Sequence, residues 1–173
     1  MLSAALASGL VLVAVTVLVL TGVTHELDRA ALRAVQGPAN GAFDLAANVH
    51  TILGLPYVTL PLAAAWSLAL WRRGHGAASL APLLIGAAVC VELALKLTTG
   101  HAPPGPETSR TVIHFVPAPD TPSSYPSGHA TRLTFLAALV ALVAARRAVT
   151  VAAAGFVVIT LLARVYIGDH WPT

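Results

Sequence analysis

Apolar positions in this chain occur in long runs with few interruptions. No ionisable side chain occurs before His25, and further apolar stretches cover Thr51 to Trp71, Ala77 to Leu97, Ser127 to Ala145 and Ala148 to Arg164. A bilayer core about 30 Å thick is crossed by about 20 mostly apolar helical residues. No segment alternates cleanly between apolar and polar residues as a half-buried strand does. The pattern therefore predicts an all-α fold, a polytopic transmembrane helix bundle with five spans.

Two details of this prediction depend on the ends of the runs. The charge-free cores of the last two runs, Leu133–Ala145 and Ala148–Ala163, are short enough for buried helices of a soluble core. Beside three longer runs, we interpret them as spans whose charged ends snorkel or line a cavity. The first run lacks the basic leading region of a signal peptide and is longer than its usual apolar stretch. We therefore expect it to be a retained span.

The composition supports a membrane protein. Of 173 residues, 57% are hydrophobic and only 10% are charged, and the mean hydropathy is +0.79. Soluble domains carry about 25% charged residues. A disordered tail, a nucleic-acid-binding domain and a disulfide-stapled secreted domain are therefore poor fits, and the single Cys90 has no partner for an internal disulfide. We expect one membrane domain over residues 1–173.

Arginine pairs predict the orientation in the membrane. Arg72-Arg73 lies between the second and third spans, and Arg146-Arg147 lies between the fourth and fifth. Short cytoplasmic loops collect Lys and Arg, so both pairs are expected on the inner side. The outer face then carries segments 24–50 and 100–125 and the end of the chain.

The long connection on the outer face is rich in proline. Seven of the twelve prolines fall between His101 and Pro126. Proline fixes φ and lacks an N–H donor, so this segment is not expected to be helical. A loop of this length in a compact domain is usually functional or disordered. Polar residues at both of its ends favour a function.

Three groups of polar residues meet on the outer face of the predicted bundle. They are Lys96 with Gly100, His101 and Pro104; Ser124 to His129; and Arg164 with Gly168, Asp169 and His170. Each group also has a purely structural interpretation: a snorkelling lysine or arginine, a serine N-cap, a proline–glycine turn or an interfacial histidine.

Together the groups indicate phosphate chemistry. A helix that begins at Ser127-Gly128-His129 presents free N–H groups and its positive dipole end to an anion. Lys96 and Arg164 add positive charge at the same place. Two histidines supply a nucleophile and a proton donor, the two roles that cleavage of a phosphate ester through a covalent intermediate requires.

Other catalytic patterns are missing from the sequence. It contains no P-loop, GxSxG, CxxC or HExxH pattern. The histidines that a zinc site would use are His101, His114, His129 and His170. Their spacing matches no common set of zinc ligands, so we expect no metal site and no cofactor.

The motifs resemble those of the type 2 phosphatidic acid phosphatase family, which shares its site with vanadium-dependent haloperoxidases. The family signatures are KxxxxxxRP, PSGH and SRxxxxxHxxxD. The second is complete as Pro126-Ser127-Gly128-His129. The third is present from Arg164 to His170, with Ala163 where serine is usual. In the first, Lys96 and Pro104 match, but Pro103 replaces the arginine.

The resemblance implies metal-independent hydrolysis of a lipid phosphomonoester or diphosphate by an acid-phosphatase-like enzyme. His170 would attack phosphorus and form a phosphohistidine, and His129 would protonate the leaving oxygen. The groups implied to hold the phosphoryl oxygens are Lys96, Ser127, Gly128 and Arg164. The partners expected are the lipid substrate and membrane lipids, not nucleic acid. The expected location is a bacterial-type plasma membrane with the site on the outer face.

The sequence departs from the family pattern at its C-terminal end and at Pro103, which replaces the motif arginine, and both departures leave alternatives open. The aspartate of the third signature would fall at position 174, and a sixth span is usual, so the chain is expected to be truncated at its C-terminus. Arg132 follows His129 by three helical positions, and we predict that it points into the site toward phosphate or Glu92, where it replaces the missing arginine charge. The alternatives to an enzyme are an inactive family member that binds lipid phosphate or a partner, and a membrane scaffold or transporter fragment.

Overall fold

The computed structural model describes residues 2–113 and 123–173, and helices account for most of them. The α-helices are α1 (Leu2–Thr21), α2 (His25–Gln36), α3 (Gly41–Ile52), α4 (Pro56–Arg72), α5 (Ile85–Thr99), α6 (Gly128–Ala144) and α7 (Arg147–Ile167). A 3₁₀ segment, Gly76–Leu84, leads directly into α5, and a short 3₁₀ turn occupies Pro106–Thr108. Neither described range contains a strand. The predicted all-α class is confirmed.

The helices suit a membrane in length and composition. Among the described residues, Gly76–Thr99 and Arg147–Ile167 are each long and apolar enough to cross a bilayer. Two bent pairs qualify if each counts as one span: Gly9–Thr21 with α2, bent by 100°, and α3 with α4, bent by 46°. The apolar α6 is shorter, at 17 residues or about 26 Å. The apolar runs predict five spans. The described residues contain two helices of sufficient length, or four spans if each bent pair counts as one, and α6 is a further, shorter apolar helix.

Segment 24–50 is mostly helical, whereas the sequence analysis treats it as a connection on the outer face. In α2, Asp28 and Leu32 lie one turn apart and are buried, while Arg29 and Arg33 are exposed. In α3, Asn40 caps the first turn through hydrogen bonds at 3.0 Å from the N–H groups of Ala42 and Phe43. At 12 residues each, these helices are too short to cross a bilayer by themselves.

The bundle is organised around α6 and α7. Helix α6 packs against α4, α5 and α7, and α7 also contacts α2 and α3. Large apolar side chains face outward, for example Leu97, Leu142 and Val151, all of which are more than half exposed. A lipid environment accommodates such a surface, because lipid tails are as apolar as these side chains.

Polar residues are buried at one end of this bundle. Glu92 and Lys96 on α5, Arg132 on α6 and Arg164 on α7 are each less than 9% exposed. Because α6 begins at this end and α5 and α7 finish there, the turns at Arg72-Arg73 and Arg146-Arg147 lie at the opposite end. The candidate site therefore lies at the far end of the bundle from both arginine pairs.

Candidate active site

One cavity collects the residues that the motifs predict. Its volume is about 660 Å³. Six of the seven predicted site residues line it: Lys96, Gly128, His129, Arg132, Arg164 and His170. The end of α5, the start of α6 and the end of α7 thus meet as the sequence predicts, although the roles assigned to the individual residues remain predictions.

The seventh residue, Ser127, is not among the residues that line the cavity. Its hydroxyl accepts a hydrogen bond from the Ala130 N–H at 3.4 Å and so caps α6. Ser123 and Ser124 line the cavity instead, and the Lys96 ammonium donates to the Ser123 carbonyl at 2.9 Å. No role is predicted for Ser123 from the sequence, because this residue lies outside the PSGH signature.

Hydrogen bonds to backbone carbonyls join the three segments around the cavity. The Ser124 N–H donates to the His101 carbonyl at 2.7 Å. The Trp171 indole N–H donates to the Ala102 carbonyl at 2.9 Å. The segment after α5 therefore holds the segments before α6 and after α7 in one arrangement. Of the predicted proline loop, residues 114–122, including His114, lie outside the described residues.

His170 is held as a neutral imidazole with one free nitrogen. Its Nδ1 is hydrogen-bonded to the Ser124 carbonyl, which only accepts, so Nδ1 carries the proton and Nε2 has the lone pair. Burial, together with the positive charge of Arg164, lowers the pKa of His170 to about 3. At neutral pH the side chain is therefore unprotonated at Nε2, as a nucleophile must be.

His129 is packed tightly against the loop between α3 and α4. A Cβ atom at Gly54 would overlap the His129 ring, so this position requires glycine. The His129 Nε2 is buried and has no hydrogen-bond partner among the described residues. A buried polar nitrogen without a partner costs free energy, which a bound ligand can recover. Nothing in the sequence distinguishes Gly54 from the other glycines.

Two arginines in the cavity are paired with carboxylates. Arg132 Nη1 lies 2.9 Å from Glu92, and Arg132 Nε donates to the Gly54 carbonyl at 3.1 Å. Arg164 Nη2 lies 2.7 Å from Asp169. Two contacts are predicted for Arg132 from the sequence, one with Glu92 and one with phosphate. The structure shows the contact with Glu92, and the contact with phosphate remains a prediction. Asp169, the neighbour of His170 in the chain, thus contacts Arg164.

Arg164 has spare donor capacity. Its Nε is buried without a hydrogen-bond partner among the described residues, and Nη1 donates to the Thr51 hydroxyl at a long 3.4 Å. A guanidinium has five N–H donors. One charge-assisted contact and one long hydrogen bond leave several of them available to an anion.

The described part of the proline loop is fixed against α3 and α7. The Asn48 side chain accepts from the N–H groups of Val112 and Ile113 and donates to the Arg110 carbonyl. The Arg110 N–H donates to the Ile167 carbonyl at 2.8 Å. This described part of the loop therefore forms a wall, and Pro103, Pro104 and Pro106 contribute to the cavity lining.

Gly128 allows the close approach of polar groups at the start of α6. A Cβ atom there would collide with the Glu92 carboxylate and would lie 2.7 Å from Arg132 Nη1. The start of α6 is therefore open to the close approach of charged groups, as the PSGH signature predicts. Among residues 2–113 and 123–173, no three His, Cys, Asp or Glu side chains form a group suited to metal binding.

Comparison with known proteins places this geometry in a family. The PAP2 superfamily pattern matches residues 77–173, a stretch that contains Lys96, His129, Arg164 and His170. The chain belongs to the PAP2 superfamily. The family resemblance inferred from the motifs is therefore confirmed.

A solved PAP2 structure has the same fold. It is that of the first transmembrane PAP2 type phosphatidylglycerolphosphate phosphatase from Bacillus subtilis, with a TM-score of 0.73 and 18% sequence identity. The alignment covers 94% of this chain and 84% of that chain. No curated protein matches the sequence. This PAP2 chain is thus an integral membrane protein of known fold.

Proposed function

We propose that this PAP2 protein is a lipid phosphate phosphatase that works through a phosphohistidine and needs no metal ion. The observation that carries the proposal is the cavity in which a neutral, oriented His170, the unpartnered His129 nitrogen and three cationic side chains come together. Family membership supports phosphate ester hydrolysis. Apolar side chains in the same cavity, Leu55 just before α4 and Val89 and Leu93 on α5, suit a lipid tail.

The proposed reaction has two displacements at phosphorus. In the first, His170 Nε2 attacks phosphorus, the bond to the lipid oxygen breaks, and His129, which is neutral in the free site and takes up a proton when the phosphate dianion binds, gives that proton to the leaving oxygen. In the second, water attacks phosphorus and gives a proton back to His129, the P–N bond to His170 Nε2 breaks, and inorganic phosphate leaves. Lys96, Arg164 and the N–H groups at the start of α6 stabilise the charge that develops on the phosphoryl oxygens.

The direct test is phosphate release from lipid substrates by the purified protein in detergent with EDTA present. Suitable substrates are phosphatidylglycerol phosphate, phosphatidate and an isoprenyl diphosphate. We expect turnover of at least one of them, unchanged by EDTA. Activity that disappears with EDTA and returns with a divalent ion would contradict metal independence.

A second candidate function is binding of lipid phosphate without hydrolysis. It is favoured by Pro103 in place of the motif arginine and by the carboxylates that already pair with Arg132 and Arg164. Vanadate binding by the protein, together with no turnover of any of the three lipids, would select this function.

We also propose that the cavity opens to the outer side of a bacterial-type plasma membrane, because both arginine pairs lie at the other end of the bundle. In a Cys90→Ser background, Glu107→Cys should react with an impermeant thiol reagent on intact cells. His75→Cys, in the exposed turn beside Arg72-Arg73, should react only after the cells are broken. The reverse pattern would place the site on the inner side.

A further inference from the structure

We propose that Asp169 competes with the substrate phosphate for Arg164 and thereby sets the affinity and charge preference of the site. This inference rests on the proposed function, because it assumes that the cavity binds a phosphoryl group. The ion pair between Asp169 and Arg164, 2.7 Å long, lies inside the same cavity as both histidines.

The charge balance of the cavity carries the argument. Three cationic side chains line it, Lys96, Arg132 and Arg164, together with the two carboxylates Glu92 and Asp169. With the histidines neutral, this set has a formal charge of +1. A phosphomonoester carries about −1.5 to −2 at neutral pH, so the site is under-neutralised while both carboxylates stay in place.

Of the two carboxylates, Asp169 is the one free to leave. Its side chain is 37% exposed, whereas that of Glu92 is 6% exposed. Moving a carboxylate from an ion pair into water costs little when it is already partly hydrated, and far more when it is buried. Asp169 also lines a second, smaller cavity of about 150 Å³ beside Thr51 and Tyr57, which gives the side chain space to move.

Arg164 has the donors needed to bind a phosphoryl group in place of Asp169. It is 8% exposed, and its Nε, which points to the same side of the guanidinium as Nη2, has no partner among the described residues. A phosphoryl group that engages Nε and Nη2 together would form a two-point contact on the edge where Asp169 now binds at one point. Such a contact requires Asp169 to move away.

The test is inhibition by inorganic phosphate and by orthovanadate of the purified protein acting on a lipid phosphate. Asp169→Asn keeps the size of the side chain but removes its charge, so we expect Ki for both anions to fall about tenfold, as expected when one charged contact is no longer displaced. The KM of the lipid phosphate should fall with it. The matched control is Glu107→Gln, which removes an exposed carboxylate of the proline loop outside the cavity lining and should leave Ki unchanged.

The possible outcomes separate this inference from the proposed function. An unchanged or higher Ki in Asp169→Asn, with an active parent protein, would show that Asp169 orients Arg164 rather than competing with phosphate. Equal decreases of Ki in Asp169→Asn and Glu107→Gln would show that the effect comes from general surface charge, and would overturn the inference. A parent protein that neither hydrolyses lipid phosphates nor binds either anion would overturn both proposals. If Asp169→Asn does not fold, Asp169→Ser is subject to the same criteria.

Discussion

Replacing His170 with alanine is expected to lower lipid phosphate turnover by more than about 10⁴-fold, because removal of a nucleophile eliminates the covalent route. The side chain is the only group in the described cavity with a neutral nitrogen whose orientation is fixed by a backbone carbonyl. When a reaction with substrate labelled in its phosphoryl group is quenched in alkaline detergent, in which the P–N bond of a phosphohistidine survives, the parent protein should retain label and His170→Ala should retain none.

The companion variant His129→Ala has a different expected result. Loss of a general acid costs about 10²–10⁴-fold. Because the nucleophile remains, this variant should still acquire label, but slowly. His75→Ala, an exposed histidine at the opposite end of the bundle, serves as the control and should match the parent. Label trapped on His170→Ala would refute the assignment of the nucleophile.

The second large effect is expected from Arg132→Ala. This change leaves the Glu92 carboxylate buried without its partner 2.9 Å away, and breaking a buried pair costs about 3–5 kcal/mol. The free carboxylate also adds uncompensated negative charge to the cavity. We expect vanadate binding to weaken by about 100-fold, together with a lower melting temperature.

A double variant separates the two contributions. Glu92→Gln with Arg132→Gln removes both charges of this buried pair, so the melting temperature should recover, while vanadate binding should stay weak if Arg132 itself contacts the anion. The control variant is Arg33→Ala, because Arg33 is an exposed residue of α2. Arg110 is unsuitable as a control, since it lies 3.6 Å from Asp44 and over the Tyr166 ring. Equal small effects of Arg132→Ala and Arg33→Ala would exclude a role for Arg132 in anion binding.

Much of the candidate site was predictable from the sequence because its residues occur at the ends of apolar runs. A helix end is marked locally, by Lys96 after one run and by Ser127-Gly128-His129 before another. In a bundle, helix ends at the same membrane face lie near one another. Position along the chain therefore sufficed to place Lys96, His129 and His170 around one cavity.

The pairing of charges was less predictable. The helical spacing of His129 and Arg132 gave a direction for Arg132, and the Glu92 contact followed from it. Asp169 has no such spacing argument, because it lies beyond the end of α7 at Ile167, where the backbone is irregular. Its contact with Arg164 depends on the path of the chain after the helix.

The helical class, the membrane environment and the residues at the ends of α5, α6 and α7 follow from the sequence alone, because hydrophobic runs and local motifs act over a few neighbouring residues. Which elements close the cavity depends instead on tertiary contacts. Helices α2 and α3 fold against α7, Gly54 approaches His129, and the Ser124 carbonyl holds His170. These contacts join residues far apart in the chain, and their energies depend on packing, which no local pattern encodes.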